Sequence, residues 1–223
     1  MITLLGVSHV FRLGPRIQEE IQTRRPDVIA LELDPGRLLA LQEPHRVRRV
    51  PGVYSMLAGF QRRIARDYGA GVGEEMLAAH DTGRRLGIPV ALIDIDSRET
   101  WRSLWLSLGP LELLKLVFSA FGSLFVGREQ IEHELQRYQA DYAGFMDALG
   151  RDYPAVKAVL VDERNAHMAK ELRHLEDAYA RVVAVVGDGH IQGLSRLLEG
   201  REVEVVRLWE LRPREAESAA RDT

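Results

Sequence analysis

The sequence predicts an α/β fold whose sheet is built from two strand–GxxH–helix–strand units that bracket a large helical insertion. Two observations lead to this prediction. Apolar runs typical of buried strands end in Gly-x-x-His at His9 and again at His190. The residues between the two units have the apolar spacing of helices almost throughout. We predict one domain over residues 1–211, with the insertion at about 97–180, and a flexible tail at 212–223.

The first unit reads as a βαβ segment. Residues 2–6 form a short apolar run and predict a buried strand. Pro15 suits the first turn of a helix, which Pro26 ends. Residues 27–33 are apolar enough to be buried on both faces, as in a parallel sheet. Asp34-Pro35 then has the order of an N-cap followed by proline at the first helical position.

The segment between the units is mostly helical, with one strand. Helices are predicted at 54–66 and at 74–86, the second ended by Gly87, and a strand over 88–94 finishes with Asp94. Helix is then predicted from 98 to about 149, with breaks at Gly109-Pro110 and near Gly127. A last helical segment runs from 154 to 179, with a break at Asp162. The second unit follows as a strand at 181–187, a helix at about 191–199 and a last strand at 202–209.

Composition excludes several classes of site and partner. The 223 residues contain no cysteine, which removes disulfides, thiol nucleophiles, zinc fingers and iron–sulfur clusters. Any metal must therefore use His, Asp, Glu or water. The formal net charge of -3 gives no support to nucleic-acid binding.

The longest apolar stretch, residues 104–126, contains Gly109-Pro110, Glu112 and Lys115. These residues argue against a membrane span of about 20 apolar residues. No signal peptide is visible at the start, so a cytoplasmic location is expected. The stretch is compatible with core, with the face of a homodimer, or with a surface that lies against a membrane without spanning it; core or dimer face is preferred.

His9 and His190 both come just after the predicted carboxyl end of a strand. Because the carboxyl ends of parallel strands meet at one edge of a sheet, neighbouring strands would bring the two histidines into a single shared site. The alternative is that each glycine makes a tight turn and each histidine is a satisfied residue at the edge.

Glu32 is the third candidate, since it lies near the end of an otherwise apolar strand. An isolated buried carboxylate is costly, so Glu32 needs an arginine or a metal as a partner. Arg37, one helical turn downstream, is the simplest ion-pair partner. With His9 and His190, Glu32 gives two imidazoles and one carboxylate, which is the donor set of a hydrolytic metal site that keeps a position for water.

Arg164 and Asn165 open a helix after an apolar run. A guanidinium near a metal holds a substrate carboxylate or stabilises an oxyanion. A surface capping cluster with Asp162 and Glu163 fits the same residues equally well.

The remaining histidines and a basic segment are given simpler interpretations. The histidines are expected on solvated helix faces, and they are His80, His133, His167 and His174. The basic segment from His45 to Arg66 is compatible with an anionic ligand or a membrane surface, but a solvated loop is the preferred interpretation.

The residues in these positions resemble the TraB/PrgY family, which is related to the GumN and Tiki proteins. The resemblance follows the whole chain in the right order, over Leu-Leu-Gly-Val-Ser-His at 4–9, Pro-Asp-Val-Ile-Ala-Leu-Glu-Leu-Asp at 26–34 with Arg37, Gly-Glu-Glu-Met at 73–76, Ala-Leu-Ile-Asp at 91–94, Asp-Glu-Arg-Asn at 162–165 with Met168, and Val-Val-Gly-Asp-Gly-His at 185–190.

The resemblance implies a metal-dependent hydrolase fold with paired GxxH turns. Tiki proteins resemble metalloproteases that trim an extracellular signalling protein near its amino terminus with manganese or cobalt, and PrgY-type members are linked to shutting down a peptide pheromone. TraB members commonly carry a carboxyl-terminal membrane region that this sequence does not show, which weakens the pheromone role more than the site. By resemblance, the metal residues would be His9, Glu32 and His190.

The expected function is a divalent-metal-dependent hydrolase, a peptidase acting on small peptides or protein N-terminal segments, with manganese or cobalt preferred and zinc allowed. Glu32 and Arg164 would be catalytic, with Glu32 a ligand or the general base, and Arg37 and Asn165 would contact substrate. Asp188 is an extra carboxylate, a ligand or a turn residue.

Two alternatives remain open. One is a protein that binds or sequesters a peptide, a metal or haem without turnover, and the other is a scaffolding partner that works through the 104–126 helices.

Overall fold

The computed structural model describes residues 1–8, 13–43, 73–115 and 141–211. Several of the predictions above lie outside these ranges: His9, the helix at 54–66, the basic segment from His45 to Arg66, His133, the 116–126 part of the apolar stretch and the tail at 212–223.

A five-stranded, entirely parallel sheet forms the centre of the molecule, in the order β3-β2-β4-β1-β5. The strands are β1 Ile2–Val7, β2 Val28–Leu31, β3 Val90–Leu92, β4 Val182–Gly187 and β5 Val203–Val206. The three central strands, β2, β4 and β1, consist mainly of apolar residues, and β1 and β2 are buried at every residue. The predicted α/β fold is confirmed.

The two GxxH units are neighbours in the sheet. β1 pairs with β4 in parallel, and the register places Val7 beside Gly187 at the carboxyl end of both strands. The segments that lead to His9 and His190 therefore leave the sheet at the same edge. Because His9 lies outside the described residues, the shared histidine site stays a prediction.

Helices lie on both faces of the sheet. In chain order they are α1 Gly14–Arg24, α2 Pro35–Gln42, α3 Glu74–Leu86, α4 Ser97–Ser107, α5 Tyr142–Asp152, α6 Pro154–Lys157, the π-helix Ala158–Glu163, α7 Arg164–Ala178, α8 Asp188–Leu197 and α9 Leu208–Leu211. Residues 110–115 are also helical.

Alternate strand residues bury their side chains in two separate cores. On one face, Leu4 and Ala184 pack with α7 and α8 through residues such as Met168 and Leu194. On the other face, the cluster built around Val185 takes in residues of α1, α3 and α9. The result is a three-layer arrangement of helix, sheet and helix.

Local signals fixed the ends of two helices as predicted. The Asp34 side chain accepts hydrogen bonds from the backbone N–H groups of Gly36 and Arg37 at 2.8 and 3.1 Å, which makes it the N-cap of α2. Gly87 ends α3 with a φ of 68°, a left-handed conformation that glycine adopts without strain.

Three predicted boundaries are wrong. The last strand was expected over 202–209, but it ends at Val206 and is followed by helix α9. The helix does not break at Asp162, because the chain continues from α6 through a π-helix into α7, and Asp162 instead pairs with Lys157 at 2.7 Å. The helix after β4 begins at Asp188 rather than near 191, which places His190 inside its first turn. Among the described residues, no helix is long and apolar enough to cross a membrane.

Candidate functional site

The candidate site lies at the carboxyl edge of the sheet, where three adjacent strands end. Glu32 directly follows β2, Asp94 comes two residues after β3, and His190 comes three residues after β4. Since the strand order is β3-β2-β4, these side chains leave neighbouring positions along one edge. Arg164 and Asn165 approach the same edge from the start of α7.

Glu32 is a buried carboxylate with both oxygens engaged. Glu32 is 7% exposed, and its Oε2 accepts a hydrogen bond from the backbone N–H of Gly187 at 2.5 Å. Its Oε1 accepts a hydrogen bond from Nη2 of Arg164. A Cβ atom at position 187 would lie 3.2 Å from Oε2, so glycine there leaves room for the carboxylate. The predicted need of Glu32 for a positive partner is met by Arg164.

Arg164 joins two of the strand ends. Its Nε and Nη2 donate to Oδ1 and Oδ2 of Asp94 at 3.0 and 2.7 Å, in addition to the bond to Glu32. Its Nη1 donates to the backbone carbonyl of Leu160, inside the π-helix, at 3.2 Å. Burial lowers the pKa of Arg164, but the Glu32 and Asp94 carboxylates raise it by more, so the guanidinium stays charged. Arg164 therefore belongs to a buried ion-pair network and not to a surface capping cluster.

Asp94 is the member of this network that the sequence analysis did not assign to the site. Its side chain is only 2% exposed and also accepts a hydrogen bond from Nη1 of Arg37 at 2.6 Å. Arg37 was expected to pair with Glu32, and this expectation is wrong, because the partner comes from the neighbouring strand β3 and not from the preceding turn. The signal for Asp94 was present, since it is an acidic residue at the end of an apolar strand, as Glu32 is.

His190 and Asn165 form a buried hydrogen-bonded pair. Nδ1 of His190 lies 2.7 Å from Oδ1 of Asn165, and Nε2 lies 3.4 Å from Oε1 of Glu32. With the amide oxygen as acceptor, the proton of a neutral imidazole is on Nδ1 and the lone pair of Nε2 faces the carboxylate. Asn165 fits closely because residue 193 is glycine, where a Cβ would lie 2.2 Å from Nδ2.

The charge states of the pair follow from burial and from the neighbouring charges. Burial lowers the pKa of His190, and Arg164 lowers it as well, against the opposing effect of Glu32, so His190 is neutral at pH 7. Burial raises the pKa of Glu32, but the positive charge that His190 takes up at low pH, together with Arg164 and the Gly187 N–H, lowers it from 4.5 to about 2. Two acceptors, the Nε2 lone pair and a carboxylate oxygen, therefore face each other.

The His190–Glu32 pair has donor atoms of the kind and spacing that a divalent cation requires. Adjacent ligands of a tetrahedral ion with bonds of about 2.1 Å are separated by roughly 3.4 Å, and Nε2 of His190 and Oε1 of Glu32 are 3.4 Å apart. The hydrogen bond from Nδ1 to Asn165 is the outer contact that metal-binding histidines usually make. Within the described ranges, no group of three or more His, Asp or Glu residues is arranged to hold a metal. The pair fits as two ligands of such an ion, and a third would have to come from elsewhere.

The part of the chain that contains most of these site residues also matches known proteins. A model of the TraB/PrgY/gumN family matches residues 55–207, which include Asp94, Arg164, Asn165 and His190. The chain belongs to this family. It is also 29% identical over 230 residues to the uncharacterized protein MJ1365 of Methanocaldococcus jannaschii, which covers 96% of this chain and 58% of that relative. The chain thus spans about three fifths of the length of the curated relative that it matches.

Family membership confirms the resemblance drawn from the sequence motifs, and it leaves the metal ligands and the reaction as predictions. Asp188, the extra carboxylate of the second GxxH turn, is engaged elsewhere. Its oxygens accept hydrogen bonds from Nε and Nη2 of Arg207 at 2.9 and 2.7 Å and from the N–H of Leu208 at 3.0 Å. These contacts favour the turn-residue interpretation.

Two expectations about other residues also have an outcome. His80 is not on a solvated face: it is 8% exposed, and its Nδ1 lies 3.0 Å from Oδ1 of Asp81. In the described part of the apolar stretch, Leu104 is buried, whereas Leu106 and Leu111 are 78% and 67% exposed. Leu104 therefore belongs to the core, whereas a dimer face formed by the exposed leucines stays a prediction.

Proposed function

We propose that this family member is a divalent-metal-dependent hydrolase, a peptidase that acts on small peptides or on the N-terminal segments of proteins. The observation that carries the proposal is the buried pair of acceptors, Nε2 of His190 and Oε1 of Glu32, 3.4 Å apart at the carboxyl edge of a parallel sheet. Two acceptors in contact, with the Nε2 lone pair unprotonated, are complementary to a cation.

Glu32 and His190 would hold the cation, together with His9 as the predicted third ligand. When bound, a divalent cation supplies Lewis acidity, which polarises a carbonyl group and lowers the pKa of water. Manganese and cobalt are the preferred ions, and zinc fits the same donors.

Glu32 serves better as a ligand than as the general base. An efficient base has a pKa near the operating pH, and the neighbours of Glu32 hold its pKa at about 2. A carboxylate that stays ionised at any physiological pH is instead suited to holding a positive charge in place. The low pKa of Glu32 therefore favours the role of ligand over that of general base.

Arg164 would stabilise the negative charge that develops on a carbonyl oxygen. Of its five N–H donors, four are used by Glu32, Asp94 and the Leu160 carbonyl. The guanidinium is thus fixed in position before substrate arrives, which is the arrangement that makes electrostatic stabilisation effective. Asn165, expected to bind substrate, is 4% exposed and contacts His190, so we assign it to orienting the imidazole.

Metal content and turnover test the proposal. Elemental analysis and titration with Mn²⁺, Co²⁺ and Zn²⁺ should find about one ion per chain, lost in His9→Ala and His190→Ala. The matched control is His174→Ala, because His174 is exposed on α7; this variant should bind as the wild type does. Peptide and ester libraries then measure turnover, which His9→Ala should abolish without unfolding the protein.

A loaded wild-type protein that cleaves none of these substrates would contradict the peptidase function. If it still binds peptide, metal or haem, the non-catalytic binding protein is the correct alternative. If neither histidine variant changes cation binding, the two GxxH turns are structural.

A further inference from the structure

Two guanidinium groups converge on a single carboxylate oxygen at the edge of the site. Nη1 of Arg37 and Nη2 of Arg164 both donate to Oδ2 of Asp94, at 2.6 and 2.7 Å. Like charges held this close repel unless enough negative charge lies beside them. Asp94 and Glu32 supply two negative charges for the two arginines, but Glu32 bonds directly to Arg164 and not to Arg37.

The two arginines differ in how far they are already satisfied. Arg164 uses four hydrogen bonds and receives the charge of Glu32 as well as that of Asp94. In the part of the chain that the structure describes, the side chain of Arg37 makes a single hydrogen bond, from Nη1. Its side chain is 33% exposed, against 15% for Arg164. Arg37 is therefore the member of the pair whose charge is least compensated.

The unused edge of Arg37 is the one that recognises carboxylates. Nε and Nη2 form the side of a guanidinium that binds both oxygens of a carboxylate in a bidentate manner. Arg164 grips Asp94 through these same two nitrogens, and Arg207 grips Asp188 through them as well. In Arg37 the bond to Asp94 uses Nη1, and none of the residues that the structure describes bonds to this edge.

We propose that Arg37 binds a carboxylate of the substrate, and that the site selects peptides with a free carboxylate near the bond that is cleaved. Asp94 accepts the hydrogen bond from Nη1 of Arg37 and so keeps the Nε–Nη2 edge of the guanidinium available to the substrate. The carboxylate comes from the peptide terminus or from an acidic side chain. The selection of a cleaved substrate rests on the proposed function, whereas carboxylate binding by Arg37 does not.

Equilibrium binding tests this directly, without requiring turnover. Three probes would be titrated into the protein and followed by calorimetry: acetyl-Ala-Ala with a free terminal carboxylate, the same peptide as its terminal amide, and acetyl-Ala-Glu-Ala-amide. A bidentate charge-assisted contact is expected to favour a carboxylate over an amide by about tenfold or more. The first and third probes separate a terminal carboxylate from an acidic side chain, and the second is the neutral reference.

The variants are Arg37→Gln, Arg37→Lys and the control Arg201→Gln. Arg201 is a good match because it is also paired with carboxylates and its side chain is 38% exposed, but it precedes β5 and so lies toward the other end of the sheet. The carboxylate preference should disappear in Arg37→Gln, persist in part in Arg37→Lys and be unchanged in Arg201→Gln.

The inference would be overturned if neither carboxylate probe bound the wild-type protein more tightly than the amide does. Binding of none of the probes at millimolar concentration would overturn it as well. So would a preference that survives in Arg37→Gln. If peptides are cleaved without any preference for a carboxylate, only the proposed role of Arg37 is contradicted. If the preference depends on Arg37 but no peptide is cleaved, only the proposed hydrolase function is contradicted.

Discussion

Replacing Arg164 by methionine would remove the positive charge between Glu32 and Asp94 while keeping an unbranched side chain of similar length. In the wild-type protein, the pKa of Glu32 falls from 4.5 to about 2. A shift of this size corresponds to about 3 kcal/mol of stability at neutral pH, and it is the joint effect of His190, Arg164 and the Gly187 N–H, so Arg164 supplies only part of it. Removing one partner of a buried ion pair costs about 3–5 kcal/mol in other proteins. We therefore expect Arg164→Met to lower the free energy of unfolding by about 3 kcal/mol at pH 7.

The pH dependence has a definite sign. Because the pKa of Glu32 is lower in the folded than in the unfolded chain, its contribution is fully present above pH 4.5 and is lost as the pH falls toward about 2. The difference in stability between wild type and Arg164→Met should therefore shrink between pH 7 and pH 3.

Urea unfolding followed by circular dichroism, at a series of pH values, measures both effects. The control Arg201→Gln removes an arginine that pairs at the surface with Glu176 and Asp177, and it should change the stability little at any of these pH values. A loss below about 1 kcal/mol for Arg164→Met, or a loss that is the same at pH 7 and pH 3, would refute the account of a buried network held by this charge.

The remaining predictions concern the supports of His190. Gly6→Ala would place a Cβ atom 2.5 Å from Oδ1 of Asp188, so we expect a lower melting temperature. In the control Gly109→Ala, the new Cβ meets nothing within 4 Å, and the melting temperature should be nearly unchanged. Equal melting temperatures for the two variants would contradict the close packing at Gly6. Asn165→Leu would leave Nδ1 of the buried His190 without its acceptor, at a cost of about 1–3 kcal/mol in urea unfolding. Calorimetric titration of the same variant with Mn²⁺ should show affinity lower by roughly 10- to 100-fold, and unchanged stability and affinity would show that Asn165 does not orient the imidazole.

The fold could be read from the sequence because its strongest signals are local and agree with one another. The apolar runs at β1, β2 and β4 are buried in the sheet, and the Asp34 cap and the Gly87 terminus formed where their chemistry places them. A shared site for the two GxxH turns required β1 and β4 to be neighbours, and they are. These features need only a few consecutive residues each.

The partners within the site could not be read in the same way. The carboxylate that Arg37 contacts is 57 positions away in the sequence, and Arg164 meets Glu32 across 132 positions. Proximity in sequence pointed from Arg37 to Glu32, but strand order β3-β2-β4 decides which side chains meet. That order is a property of the assembled sheet, and no single segment encodes it.

His80 shows a signal that was available and was given too little weight. It is four residues after Met76 and three before Gly83, and both of these residues are buried in the same helix. Residues at this spacing share a helix face, so the pattern of α3 already placed His80 on its inner side. The next residue, Asp81, points to another face and is exposed.

The start of α7 explains why the two halves of the candidate site are aligned with each other. Successive residues of a helix point about 100° apart, so Arg164 and Asn165 reach different partners from one turn: Arg164 contacts Glu32, and Asn165 contacts His190. The π-helix just before them gives Arg164 a carbonyl acceptor at Leu160, and π-turns of this kind are frequent at functional sites. Because one rigid helix turn holds both Glu32 and His190 through adjacent residues, a shift of that turn by one residue would release both at once.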